Sequence, residues 1–226
     1  MTAAREMRRA VTVDDQALAE RCRKGRVVLI DDEPPVREAF GTLLEQEGYA
    51  VECYASATDY LSVLSFNRPW FPGPSCVLSD VKMPEQDGLD LMRRLATMES
   101  PPLILMSGSS GPAEVVDAFR GGAFDFLLKP IHPDALLEAV RRALEANRAY
   151  QQGRLKQGEL EGRVASLTPR ERDVIALVAK GMLNRVIAEQ LGIGIRTVKL
   201  HRQHAMEKLG VASLVDLALF SQETGL

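Results

Sequence analysis

Two architectures follow one another in this sequence: an α/β unit built on a five-stranded parallel, doubly wound sheet, then an all-α unit of four short helices. Three observations predict them. Between residues 26 and 148, short apolar runs alternate with segments of helical period, the pattern of a parallel sheet covered on both faces through right-handed crossovers. From Ser166 onward only helical periodicity remains. The charge changes sign at the same place. Residues 26–148 carry 11 Lys and Arg against 19 Asp and Glu, whereas residues 163–210 carry 9 against 4. An acidic first part and a basic second part suggest a regulatory or catalytic unit joined to something that touches a polyanion.

The elements follow in order. Residues 1–25 mix small, charged and basic types without a sustained period and read as an extension, with room for a short helix within Asp14–Arg23. Strand Arg26–Asp31 leads to helix Pro35–Glu47, in which Val36, Phe40, Leu43 and Leu44 recur at helical spacing and Gly48 is placed to end it. Strand Ala50–Tyr54 and helix Ala57–Phe66 come next. Asn67–Ser75 holds three prolines and the only tryptophan, so it is a loop. Then come strand Cys76–Asp80, helix Leu89–Met98, strand Pro102–Ser107, helix Ala113–Gly121, strand Asp125–Leu128 and helix Pro133–Arg148. The polar stretch after Arg148, with glycines at 153, 158 and 162, reads as a linker, with room to continue the preceding helix in part because Leu155 and Leu160 are apolar. Thr168 before Pro169, with Glu171 three residues on, marks the first helix of the second unit, and Gly181 its stop. The expected domains are therefore 26–146 and 164–226, with a linker at 147–163.

Composition narrows the function. A chain of 226 residues, 46% hydrophobic and 26% charged, has the make-up of a globular protein. No apolar run approaches the roughly 20 residues of a membrane span. The N-terminus lacks the apolar centre of a signal peptide. A cytoplasmic protein without a membrane partner is expected. Cys22, Cys53 and Cys76 are odd in number and lack metal-like spacing, which predicts reduced thiols.

The chemistry concentrates at strand ends. Cys76-Val77-Leu78 runs into Asp80 and at once meets a Pro-Glu-Gln-Asp-Gly turn, and Val27 to Ile30 runs likewise into Asp31-Asp32-Glu33. Open α/β sheets place their sites at such carboxyl ends. Two acidic tips side by side need a cation, and ligands that are all oxygen favour a hard ion such as Mg²⁺.

Asp31-Asp32, Asp80, Ser107 and Lys129-Pro130, each at its own strand tip, resemble the receiver domain of bacterial two-component response regulators, whose sheet is flavodoxin-like. The resemblance implies that Asp80 takes a phosphoryl group from a sensor histidine kinase. It implies Mg²⁺ at Asp31, Asp32, Asp80 and the Lys82 backbone carbonyl, with Lys129 pairing first with Asp80 and then with phosphoryl oxygens. Ser107 would offer its hydroxyl to the new phosphate, Phe126 would occupy the space that Ser107 leaves, and Pro130 would follow a cis bond. The face of helix Ala113–Gly121 and strand Asp125–Leu128 is where receivers of this kind dimerise. Haloacid-dehalogenase-type phosphatases offer a different reading, an aspartyl-phosphate hydrolase. They need a second Asp two positions after the nucleophile, where this chain has Lys82, so no enzyme is expected.

The segment from Leu167 to Gly210 resembles the LuxR-type helix-turn-helix that ends the NarL/FixJ response regulators. It implies a recognition helix over Ile195–Leu209, with promoter DNA as ligand and RNA polymerase as a further partner. Val198, His201, Ala205 and Leu209 line up inward; Arg196, Lys199, Leu200 and Gln203 form the outward stripe. Lys199, Leu200 and Gln203 are then candidates for base edges, and Arg196, Thr197, Arg202, Asn184 and Arg185 for phosphate. His201 fits either the core or a phosphate. Gly194 stands where the family has a capping Ser. Helix Ser213–Gln222 offers Leu214, Leu217, Ala218 and Phe220, more apolar surface than a small module needs, which predicts a homodimer on DNA.

Overall fold

The five apolar runs form β1 (Arg26–Ile30), β2 (Ala50–Tyr54), β3 (Ser75–Asp80), β4 (Leu103–Ser107) and β5 (Asp125–Leu128). The structure, a computed structural model, describes residues 24–66, 73–98, 100–109 and 111–226. The extension before Lys24, with its expected short helix and Cys22, lies outside the described residues, and so does most of the proline-rich loop. Cys53 and Cys76 are free thiols. All pairings are parallel, in the order β2-β1-β3-β4-β5. The strand order reverses between β1 and β3, which opens a crevice at their carboxyl ends.

Alternate residues of each strand serve opposite helical layers, as the two-residue period of a strand requires. Val27, Leu29, Leu78, Ile104 and Met106 pack with Leu44 of α1 (Pro34–Gln46) and with Leu136, Val140 and Leu144 of α5 (Pro133–Ala165). Val28, Ile30, Val77, Leu103 and Leu105 face α2 (Ala57–Phe66), α3 (Gly88–Ala96) and α4 (Pro112–Arg120) through Tyr60, Leu91, Leu95 and Ala118. Each large side chain withdrawn from water contributes about 1.5–3 kcal/mol. β1, β3 and β4 are buried along their whole length, while the edge strands β2 and β5 are largely half-exposed. That gradient makes the middle of the sheet the rigid platform for its carboxyl-end loops.

The expected helix ended at Arg148 with room for partial continuation into the linker; α5 runs the whole way, 33 residues to Ala165. No proline interrupts it, and Gln, Arg, Leu, Lys and Glu in the polar stretch are all good helix formers. Leu160 and Val164 near its end join the core of the second unit, which gives the last turns a packing reason to stay helical.

By its contacts the chain divides into two compact units between Gln151 and Gln152. The second unit adds α6 (Pro169–Ala179), α7 (Asn184–Leu191), α8 (Ile195–Leu209) and α9 (Leu214–Thr224). Its core gathers Leu160, Val174, Ile175, Ile187, Val198, Leu209, Leu217 and Phe220. Gly192 adopts φ +64° between α7 and α8, a left-handed turn that a side chain would strain. Gly194 caps α8 without a side-chain hydrogen bond, as its lack of a hydroxyl dictates. One expectation needs correction. Of the α9 residues assigned to surplus apolar surface, Leu217 and Phe220 belong to the core. Leu214 and Ala218 are exposed as expected, and Val215 and Leu219 join them, so that Leu214, Val215 and Leu219 stand 50, 69 and 59% exposed.

Glu171 ties α6 and α8 of this unit together. Its Oε2 accepts from the Thr168 N–H at 2.9 Å, completing the capping box, and from Lys208 Nζ of α8 at 2.6 Å. The Lys208 ammonium, then the Thr168 amide, push the buried Glu171 carboxyl down to about 2 from an ordinary 4.5. A carboxyl held below its unfolded value stabilises fully above the ordinary range and loses that contribution as pH falls through the folded value. The second unit should therefore lose thermal stability between pH 4.5 and about 2. Glu171→Gln should lower the melting temperature at neutral pH and flatten this dependence, as circular dichroism melts will register.

Candidate functional site

Strand register brings the acidic tips together. Ile30 pairs with Ser79 and Asp80 with Met106, so Asp31, one residue beyond β1, stands beside Asp80. On the other side Leu128 pairs with Ser107, and the Lys129 N–H donates to the Ser107 carbonyl at 2.7 Å. The Lys129-Pro130 peptide bond is cis. From there the Lys129 ammonium lies 2.5 Å from Asp80 Oδ1, 3.0 Å from Asp31 Oδ2 and 3.9 Å from Glu33 Oε1.

The backbone supplies the other contacts. Asp80 Oδ2 accepts the Lys82 N–H at 2.8 Å, and Asp31 Oδ1 accepts the Glu33 N–H at 2.9 Å. The turn after Asp80 closes tightly, because the Gly88 N–H reaches the Val81 carbonyl at 2.8 Å. A Cβ at Gly88 would stand 2.3 Å from the Asp80 carbonyl oxygen, so only glycine fits there. Glu85 in the same turn holds φ +66°, a left-handed conformation rare outside glycine.

Asp31 is fully buried and Asp80 nearly so. Burial raises the Asp80 carboxyl above its ordinary value; the Lys129 hydrogen bond and charge pull it back, and Asp31 pushes it up again. Burial alone would lower Lys129, yet its bonds to Asp80 and Asp31 outweigh this and hold the ammonium above its ordinary value. The two shifts agree physically: one cation collects attraction from two carboxylates, while each carboxylate receives only a share of one cation.

Ser107 is buried at the end of β4, and its Oγ accepts the Ser109 N–H at 3.3 Å. Phe126 lies one strand over, paired with Leu105 and half-buried against the core. The side chain of Lys82 donates to Ser109 Oγ at 2.8 Å and so spans the loops after β3 and β4. Nothing in the spacing of residues 82 and 109 announces that contact. The carboxylates expected to crowd together are not gathered in threes: Asp32 is half-buried, and no group of three acidic, His or Cys side chains able to hold a metal occurs among the described residues. The ammonium of Lys129 supplies the positive charge between Asp31 and Asp80. The donor chemistry still fits a hard cation, since every available ligand is oxygen and burial leaves Asp80 short of positive charge.

The recognition segment forms α8 with the predicted bounds. Val198, Ala205 and Leu209 are buried, His201 and Met206 half-buried. Arg196, Thr197, Lys199, Leu200 and Gln203 are exposed, and Arg202 is half-buried. Gln203 Nε2 donates to Glu207 Oε1 at 2.9 Å, one turn along the same stripe. Asn184 opens α7 half-buried, and the exposed Arg185 pairs with Glu189 at 3.3 Å. Sequence reasoning missed Lys208 as the partner of Glu171, 37 positions away, because only tertiary packing joins them.

A parallel sheet with an acid–lysine crevice, followed in the same chain by a helix-turn-helix, defines a phosphoryl receiver coupled to a DNA-binding module. The family profile for the response regulator receiver domain matches residues 27–141, and that for bacterial regulatory proteins of the luxR family matches residues 165–221. The transcriptional regulatory protein FixJ of Bradyrhizobium diazoefficiens is 33% identical over 206 residues, covering 90% of this chain and 97% of that one. The response regulator protein TmoT of Ectopseudomonas mendocina is 36% identical over 192 residues, covering 84% and 85%. Among solved structures, the response regulator StyR superposes with a TM-score of 0.80 at 34% identity, covering 88% of this chain and 99% of that one. The chain belongs to the NarL/FixJ family of two-component response regulators. It is a phosphorylation-dependent, DNA-binding transcription regulator, with a sensor kinase and DNA implied as partners. Receiver domains typically bind Mg²⁺. No helix among the described residues is long and apolar enough to cross a membrane.

Lys129→Met would leave the fully buried Asp31 and the nearly buried Asp80 with no cation between them. The receiver should lose about 3 kcal/mol at neutral pH without added metal, the scale of a buried pair broken from one side. The loss should shrink as pH falls, because the Asp80 carboxyl already sits above its ordinary value and takes up a proton readily. Denaturant titrations of wild type and variant at several pH values will measure both effects.

Proposed function

We propose that Asp80 is the phosphoryl acceptor and that residues 26–146 are the regulatory unit controlling DNA binding by residues 164–226. The observation that carries this reading is the Lys129 ammonium held 2.5 Å from Asp80 Oδ1 and 3.0 Å from Asp31 Oδ2 at the sheet's switch point. An oxygen of Asp80 attacks the phosphorus of a phosphohistidine on the kinase; the new O–P bond forms as the N–P bond breaks, and the imidazole leaves. Asp31, Asp32, Asp80 and the Lys82 backbone carbonyl would hold Mg²⁺. The ion supplies charge neutralisation that lets a carboxylate approach an anionic phosphoryl group. Lys129 pairs with Asp80 beforehand and turns to a phosphoryl oxygen afterwards. Ser107 gives up its local bond to donate its hydroxyl to the phosphoryl group, and Phe126 moves into the space released.

In the second unit, Lys199, Leu200 and Gln203 read base edges in the major groove: lysine toward guanine, glutamine toward adenine, leucine toward a thymine methyl. Arg196, Thr197, Arg202, Asn184 and Arg185 contact phosphate, with half-buried His201 bridging core and backbone. The regulator binds promoter DNA as a homodimer. Val116 and Phe119 of α4, 47 and 49% exposed, support pairing through the receiver, and Leu214, Val215 and Leu219 support pairing through α9. The cytoplasm, a cognate sensor histidine kinase and contact with RNA polymerase belong to the same reading.

Asp80→Asn should take up no phosphoryl group from a kinase or a small phosphodonor, as measured with radiolabelled donor; labelling at the wild-type rate would remove Asp80 from the mechanism. Lys199→Ala should weaken binding to the best operator by about 1–3 kcal/mol and relax preference at one base pair. Fluorescence anisotropy against an operator series will show both effects, and unchanged affinity for the best operator would disprove the base contact.

A further inference from the structure

The geometry points to a mechanical joint in the middle of α5: we propose that residues 152–159 pass between helix and coil, and that this transition carries the receiver's phosphorylation state to the DNA-binding module. The second half of the proposal rests on the function argued above; the first stands on the helix alone.

Every residue from Gln152 to Glu159 is exposed, so this stretch has no buried face. Leu155, its one large apolar residue, is 70% exposed. Before it, α5 is tied to the sheet. Asn147 is buried and its Oδ1 accepts the Ser75 N–H at 2.9 Å, while Gln151 Nε2 donates to the Gly73 carbonyl at 3.4 Å. After it, the helix is tied to the second core: Leu160 is buried there, and an Arg163 guanidinium nitrogen donates to the Leu209 carbonyl at 3.3 Å. Two of the side-chain ties between these anchors are weak in kind. Lys156 pairs with Glu223 at 3.1 Å and Gln157 with Glu161 at 2.9 Å, all exposed to water and to salt.

The glycines decide the matter. Gly153 and Gly158 lie within this stretch, and a Cβ at either would meet nothing within 4 Å. No close packing asks for glycine, and both are in ordinary helix. Their physical effect is confined to the helix–coil balance, which each shifts against the helix about fivefold relative to alanine. An isolated helix of this length does not hold itself in water, so its order is borrowed from the two anchored ends. The division between compact units, at Gln151 and Gln152, falls at the start of the same stretch. A weak segment between two strong anchors is where strain applied at either end breaks a helix.

The test uses the full chain with Gly153→Ala and Gly158→Ala together. Trypsin should cut the wild type at Arg154 and Lys156, and the double variant about 25-fold more slowly at both. The ratio of operator affinities with and without a small phosphodonor should fall severalfold toward one in the variant, while radiolabel uptake on the receiver is unchanged. A Gly153→Pro variant, held on the coil side, should cut faster than wild type and should likewise lose the response to phosphodonor. Equal tryptic rates in wild type and double variant would overturn the joint. Slowed cleavage with a full phosphodonor response would overturn the relay. A wild type that takes up phosphate without any change in operator affinity would overturn the underlying reading and the relay with it, leaving the tryptic comparison to decide the joint.

Discussion

One ammonium group shared by two buried carboxylates is the interaction on which the first unit depends. Asp31 and Asp80 are brought together by the parallel register of β1 and β3, and neither can reach bulk water to lower its charging cost. Lys129, carried on the loop after β5, meets both, and the side chain that answers their charge comes from the far edge of the sheet. The crevice is therefore both a stress and a clasp. It holds the carboxyl ends of β1, β3 and β5 in one arrangement, and it leaves Asp80 with less positive charge than its burial demands. A site in that condition is receptive to further positive charge.

The second unit solves a comparable problem by the opposite means. Glu171 is also a buried carboxylate, but it has an ammonium to itself together with a backbone amide, and its carboxyl falls well below the ordinary range. It is a fastening between α6 and α8, with no unmet demand. The contrast separates a carboxylate left short of positive charge from one whose charge is fully answered, although both are withdrawn from water. α8 gains its fixed orientation from that fastening and from Val198, Ala205 and Leu209, so its outward stripe is presented by a rigid support.

Much of the fold was legible because the two-residue and helical periods are local. The apolar runs at Val27–Ile30 and Cys76–Leu78 could only be buried strands, and the bounds of α8 follow from glycines at either end. The positions that form the crevice were legible too, since Asp80 and Ser107 end their strands and Asp31 and Lys129 follow theirs at once. What failed had a common cause. The end of α5 was misplaced because glycines 153, 158 and 162 are a coil signal in sequence, whereas Leu160 and Val164 are recruited by a core formed elsewhere. α9 was misread because leucine at position 217 and leucine at position 214 are the same letter, and only packing decides which is core.

By itself the sequence determined the alternation of strands and helices, the acids and the lysine at the strand ends, and the basic helical module, because each is written in spacing along a few residues. Only the tertiary structure decided that a single ammonium serves both Asp31 and Asp80, that the Lys82 side chain reaches Ser109, and that Glu171 finds Lys208. Those contacts join residues 27 to 98 positions apart. No local rule couples such positions; strand register and core packing do, and they exist only once the chain has closed on itself.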